Sequence, residues 1–287
     1  MHELLLFGQV PRARHEQVLS VLTGVAAMPP RRVLERHVTY KPTVDRYQQA
    51  QAGGSQGLQD KRQQALLAQL NKDLYYTQLV QTLTEQDFRG STENTQSSGV
   101  TNGGRGGLDG GEMIRAQGPW AMQFNDLPEP GDKRPVTLRY TTTTDVVDGN
   151  PHEYMTALGY SYVSEYVLEG HRLLHKDVVI LLHRILRLPP GATPEYSPRH
   201  PLPAFEALVP LDPSGAYVLQ ACLRLQDGTK PEMLRKGTEE LMGLKRLMKG
   251  VVDLNPANRL SLDTRVKFLQ HKVEEKKTAQ LPVLGGI

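Results

Sequence analysis

The sequence predicts a mainly β (α+β) fold, a many-stranded antiparallel β-barrel with flanking α-helices, organised as one domain over residues 1–287. Two observations carry this. About eight or more segments alternate apolar and polar side chains with the period of a strand, whereas few segments repeat at helical spacing. An open sheet of so many short strands leaves its edges exposed, and closing or nearly closing it removes them.

The first element is a strand centred on Leu4, Leu5, Leu6 and Phe7 and stopped by Pro11. Val18, Leu19, Leu22 and Val25 then recur at helical spacing, and Pro29-Pro30 ends that helix. An extended pattern returns with Val38 and Tyr40 on one face and Thr39 on the other. From about residue 47 to 110 the chain becomes rich in Gln, Ser, Thr, Asn and Gly, too poor in apolar groups to offset chain entropy. It reads as a mobile insertion within the domain. Leu66, Leu67, Leu70 and Leu74 form an ordered helical island in it, and residues 75–83 continue as strand or helix.

Strands follow around Trp120, the sole tryptophan, and across Val136, Leu138 and Tyr140. The four threonines Thr141 to Thr144 favour extended backbone, because β-branching restricts χ1 in a helix. Asn150, Pro151 and Glu153 spell a capped helix start, and Gly159 its end. A hairpin comes next, with Tyr160, Tyr162, Tyr166 and Leu168 on one face of its first strand and a tight turn placed at Glu169-Gly170. Its second strand alternates Val178, Ile180, Leu182, Leu186 and Leu188, while Val179, Leu181 and Ile185 make the other face apolar too. That suits a strand buried between the sheet interior and a covering layer. Strands over residues 205–211 and 216–225 flank Pro213-Ser214-Gly215, with Tyr217, Leu219, Ala221, Leu223 and Leu225 turned inward. Thr229 then caps a helix with the apolar stripe Met233, Leu234, Leu241, Leu244, Leu247 and Met248. A weaker helix is expected over residues 258–277 and a poorly ordered tail after about residue 278.

Charge is nearly balanced, 34 Lys and Arg against 31 Asp and Glu, for a net charge of +3. Direct sequence-specific nucleic-acid binding is therefore not expected, since backbone affinity needs clustered cations. Cys222 is the sole cysteine, so an internal disulfide is excluded and a reducing compartment is favoured. The apolar run at Leu4 to Phe7 is too short for a signal peptide, and no stretch reaches the roughly 20 apolar residues of a membrane span. No membrane association is expected, and the chemistry fits the cytosol or nucleus.

Residues that suggest catalysis each have a plainer role. His171 and His175 are four apart but lie in a strand pattern, without the Glu of a zinc-binding helix. His152-Glu153 has Thr156 where a second histidine would be needed, and fits helix capping. The glycine run after Gly103 is not followed by Lys-Ser or Lys-Thr and lacks the strand and helix of a P-loop. Cys222, between Ala221 and Leu223, reads as a buried structural thiol. The enzymatic alternative is a tunnel-type triphosphate phosphohydrolase, whose barrel interior needs alternating carboxylates and cations and whose first strand would carry Glu-x-Glu-x-Lys. Here that strand offers Glu3, Leu5 and Phe7. Glu165 with Glu169, and Arg139 with Lys133, read as exterior charges facing solvent. No catalytic, metal or cofactor-binding residue is assigned.

Several stretches carry a family resemblance: ELLLFGQ from Glu3, RHVTYK from Arg36, GPWAMQF from Gly118 with GDK from Gly131, and above all EYVLEGHRLLHKD from Glu165 followed by RILRLP from Arg184. On these the chain resembles the Mediator of RNA polymerase II transcription subunit 18 family, as a fungal member. The resemblance implies a barrel with helices outside, like the triphosphate-tunnel enzymes in shape but without their chemistry, in a nuclear, non-catalytic scaffold subunit of the Mediator head module. It implies a heterodimer with subunit 20, a C-terminal helix received from subunit 8, other head-module neighbours and an indirect link to RNA polymerase II. It covers roughly residues 1–44 and 111–252. An amphipathic partner helix wants an apolar groove with aromatic anchors, which makes Tyr160, Tyr162 and Tyr166 the partner-binding candidates; the competing reading is that they fill the barrel.

Overall fold

The computed structural model describes residues 1–43, 74–88, 119–130, 134–190 and 197–266. Within them the alternating segments form β1 (His2–Val10), β2 (Arg31–Pro42), β3 (Thr77–Thr82), β4 (Trp120–Asn125), β5 (Thr137–Val146), β6 (Tyr160–His175), β7 (Val178–Arg187), β8 (Val209–Pro210) and β9 (Tyr217–Leu225). The helices are α1 (His15–Ala26), α2 (Pro151–Ala157) and α3 (Pro231–Leu247). Neighbouring strands run β6, β2, β3, β4, β5, β1, β9, β7, and β7 pairs back onto β6, so eight antiparallel strands close into the expected barrel. The short β8 extends the sheet along β7.

All three helices pack on the same face of the sheet. Val18 and Leu22 of α1 and Leu241 and Leu244 of α3 join Leu4, Leu6, Ile180, Leu219, Ala221 and Leu223 in one core. Met155 of α2 joins Val38, Tyr40, Leu79 and Trp120 in another. Eight strands leave an interior that side chains alone can fill, so the face carrying helices is the outer one. Gly237 lets α3 approach closely, since a Cβ there would lie 2.8 Å from Leu4 Cδ1.

This placement corrects one expectation: Leu219, Ala221, Leu223 and Leu225 face the helix layer, not the barrel interior. Alternation shows which residues share a face but not which face is inside. The hairpin turn also moves, to Lys176-Asp177, where Lys176 takes a left-handed φ of 53°. Gly170 is instead mid-strand opposite His183, where a Cβ would lie 2.3 Å from the Leu182 carbonyl. Close backbone approach, not reversal of the chain, requires that glycine.

The expected strand over residues 205–211 is a 3₁₀ turn, Phe205–Ala207, followed by the two residues of β8. Thr229 does not cap α3; its hydroxyl donates to Asp227 Oδ1 at 2.6 Å, and Lys230 occupies the cap position. Leu247 points to solvent although the rest of the α3 stripe is covered. By contrast Asn150 caps α2 through its side-chain oxygen, which accepts from the His152 and Glu153 amides, and Gly159 ends that helix region with φ +84°. Of the weaker C-terminal helix the described residues show a 3₁₀ turn, Arg259–Leu262. Part of the Gln/Gly-rich stretch over residues 47–110 is corrected from mobile insertion to barrel wall: β3 lies within it, paired with β2 and β4. Residues 75–83 thus continue as strand, with Leu79 and Leu83 buried, because this piece alone in the stretch alternates apolar side chains onto the core. Leu66, Leu67 and Leu70 of the helical island, the glycine run and the tail lie outside the described residues.

Candidate functional site: the two faces of the barrel

Side chains alternate between faces along each strand, and cross-strand partners share one. Glu3 therefore points inward, with Leu5 and Phe7 continuing its row. Glu3 is 2% exposed; Arg139, its partner across β5, donates from Nε to Oε1 at 2.5 Å, and Cys222 Sγ lies 3.5 Å from Oε2. Arg139 is thus inside the barrel, correcting its assignment to a solvent-facing exterior; Lys133 lies outside the described residues. Burial first, then the Glu3 carboxylate, pushes the Cys222 thiol up to about 12, which keeps it protonated and unreactive at neutral pH.

A second inner cluster spans β2, β6 and β7. Tyr166 stacks on His37 with ring centroids 4.9 Å apart and accepts from Gln78 Nε2 at 3.2 Å. Arg172 donates to Glu35 at 3.0 Å, and His37 Nε2 lies 3.4 Å from the same carboxylate, out of hydrogen-bonding alignment. Burial alone would raise the Glu35 carboxyl, but His37 and Arg172 hold it below its ordinary value. His183 faces the same interior with both ring nitrogens unbonded, and burial, reinforced by His37, presses it down to about 4. The interior is accordingly not a uniform aliphatic and aromatic filling. It holds the carboxylates of Glu3 and Glu35, each engaged by an arginine.

The outer face carries a buried pair that sequence reasoning missed. Arg36 and Glu165 meet at 2.5 Å with side chains 4% and 1% exposed. A strap from residue 197 to 202 seals them: the Arg199 amide donates to Glu165 Oε1 at 2.9 Å and its carbonyl accepts from Arg36 Nη2 at 2.6 Å. Glu165 and Glu169 do lie on the outside, as expected, but neither is a free solvent charge; Glu169 accepts twice from Arg184, at 2.8 and 2.9 Å. The available signal was Arg36 sitting between Leu34 and Val38 on the apolar face of its strand.

The three tyrosines do not form one face. Thr39 pairs with Ser164 but Tyr40 with Tyr162, so Val163 is an extra residue that reverses the alternation of β6. Tyr160 and Tyr162 pack outside, against the core of Val38, Tyr40, Trp120 and Met155, while Tyr166 lies inside. Near them the Tyr40 hydroxyl and His152 Nδ1 are 2.7 Å apart; burial presses His152 down to about 4 and raises Tyr40. His171 lies beside His15, ring centroids 5.7 Å apart, and His175 Nδ1 is 2.9 Å from the Val25 carbonyl. Among the described residues no group of three or more His, Cys, Asp or Glu could hold a metal ion.

These features define the class: a closed antiparallel barrel with helices outside and, inside, the carboxylates of Glu3 and Glu35 bound to arginines. The family model described as Med18 protein matches residues 2–265. A protein named Mediator of RNA polymerase II transcription subunit 18 from Aspergillus niger is 40% identical over 274 residues, covering 93% of this chain and all (100%) of that one. Its Aspergillus oryzae counterpart is 39% identical over 278 residues with the same coverage. A chain in the structure of the Schizosaccharomyces pombe Mediator head module superposes with a TM-score of 0.59 at 18% identity, over 90% of this chain and 99% of that one, a likeness of fold. The chain belongs to the Mediator of RNA polymerase II transcription subunit 18 family.

Proposed function

We propose that the chain is a non-catalytic subunit of the Mediator head module, working in the nucleus by protein association to support regulated transcription by RNA polymerase II. Family membership carries this reading. The inner face supports it: among the described residues, the interior carboxylates Glu3 and Glu35 are each engaged by an arginine, whereas a metal-dependent phosphohydrolase needs such groups free to hold its ion. Its partners in this reading are subunit 20, as a heterodimer, and the C-terminal helix of subunit 8, with RNA polymerase II reached through the other head subunits.

For the subunit 8 helix we assign the outer surface around α2. Tyr160 and Tyr162 are half-buried there, Tyr154 and Leu158 stand one helical turn apart and exposed, and Val163 is exposed at the bulge. An apolar surface with aromatic anchors suits an amphipathic helix. Tyr166, inside the barrel, drops out of that surface.

Reconstitution tests the reading. The purified chain, subunit 20 and a subunit 8 C-terminal peptide should form a stable ternary complex in size-exclusion chromatography. Tyr160→Ala with Tyr162→Ala should weaken peptide capture roughly tenfold, and Tyr166→Phe should leave it unchanged. Undiminished capture by a folded double variant removes the surface assignment, and failure of every combination to associate removes the function.

A further inference from the structure

The closed sheet keeps a short bare edge where β6 outruns β7. β6 pairs with β2 from Tyr160, opposite Pro42, to Arg172, opposite Arg31, but with β7 only from Tyr166 to His175. β7 cannot follow it further, because Pro189 and Pro190 carry no amide for the ladder. Among the described residues no strand lies against the other side of residues 160–164. The alternation of hydrogen bonds fixes where their main-chain groups point. The Leu83 amide donates to the Leu34 carbonyl, so even-numbered β2 residues give their main chain to β3; the Thr43 amide donates to the Gly159 carbonyl, so odd-numbered ones serve β6. Tyr162 and Tyr160 stand opposite the even-numbered Tyr40 and Pro42, and therefore direct amide and carbonyl away from β2, onto the open side.

Neither tyrosine lacks its amide, so the edge offers two donors and two acceptors on residues roughly 7 Å apart. It is open to solvent, with Val163 and Ser164 both exposed. Residues 160–164 read Tyr-Ser-Tyr-Val-Ser, without the lysine or proline that guards sheet edges. The bulge at Val163 is the one protective irregularity, and it leaves Tyr160 to Tyr162 in regular register with β2. Main-chain groups in this alternation are matched by another extended main chain. The flanking side chains set its chemistry: Tyr160 and Tyr162 place rings on the outer face, Ser161 has a hydroxyl on the other, and none is charged. The segment that fits is uncharged here and turns apolar side chains outward, beside the tyrosine rings.

We propose that the open edge of β6 takes a short extended segment of a partner polypeptide as an added strand, held by main-chain hydrogen bonds to Tyr160 and Tyr162. The proposal rests on the association function above and adds to it a main-chain contact, beside the helix assigned to the α2 surface. It is tested by residue-resolved amide hydrogen exchange on the full chain, free and in the reconstituted head module. In the free chain the Tyr160 and Tyr162 amides should exchange roughly 100-fold faster than that of Ser161, which faces β2; in the assembled module they should slow to match it. Tyr162→Ala removes the ring alone, whereas Tyr162→Pro removes the amide as well, so the proline variant should join the module about fivefold more weakly than the alanine one, one hydrogen bond's worth. If the proline variant does not fold, the exchange comparison decides. Edge amides as slow as Ser161 in the free chain, edge amides still fast in an assembled module, or equal association of two folded variants overturns the proposal. Protection in the free chain that grows with concentration assigns the edge to a second copy and overturns it as well. A module that assembles with the edge unprotected defeats this proposal alone; a chain that joins no module defeats the function with it.

Discussion

At the scale of single residues, the buried ion pairs set the stakes. Removing Arg139 leaves Glu3 charged and unpaired inside the barrel, which costs roughly 3–5 kcal/mol, whereas replacing both with apolar residues of similar volume is far better tolerated. Urea unfolding should therefore show a large loss for Arg139→Met and recovery of most of it in Glu3→Leu/Arg139→Met; two equal losses would mean the pair is not buried as described. His183 sets a pH dependence. Its pKa is pressed from 6.5 to about 4 on folding, so between those values the unfolded chain binds a proton that the native chain refuses. Stability should fall as pH drops through that window and be insensitive to this group above it. His152 acts in the same sense. His183→Leu should remove on the order of 3 kcal/mol of the acid-side loss, read from urea midpoints across the window. None of these pairings was legible in sequence, because Arg139 finds Glu3 136 residues away and Arg36 finds Glu165 at 129. A lone charge in a strand pattern reads as solvated until the register is known.

At the scale of elements, the β6–β7 hairpin shows what local pattern carries. Both strands were visible from period two and from the doubly apolar second strand, but the turn was placed at Gly170 because glycine there resembles a chain reversal. In the fold that glycine lets β6 and β7 close on one another. Gly170→Ala sets a Cβ 2.3 Å from the Leu182 carbonyl, so the strands must part, at a cost of about 1–3 kcal/mol or more in thermal unfolding. An unchanged melting temperature would show that the hairpin can relax. The bulge at Val163 had no sequence signature, and one unpaired residue was enough to send Tyr166 to the opposite face from Tyr160 and Tyr162. Caps were legible where chemistry is local: Asn150 is bound as its sequence context implies, while Thr229 was diverted by the acceptor at Asp227.

For the whole molecule, closure of the barrel followed from strand number and the cost of open edges, both readable in sequence. Which face lies inside did not, since Leu4 and Leu6 suit a barrel interior as well as a helix-covered exterior; the three helices decide it. The first inner row keeps Glu3 and then departs from a phosphate-binding lattice at Leu5 and Phe7, and Glu3 itself is neutralised. Manganese-dependent tripolyphosphate hydrolysis should accordingly be indistinguishable from buffer, and Glu3→Gln should not alter it; turnover lost with Glu3 would restore the enzymatic alternative. The central claim, that this barrel is an assembly subunit of Mediator, is tested most directly by affinity purification of the tagged full chain from nuclear extract with quantitative mass spectrometry. Co-recovery of head-module subunits, subunits 8 and 20 among them, in amounts comparable to the chain is expected. Recovery of the chain free of every Mediator subunit would contradict it.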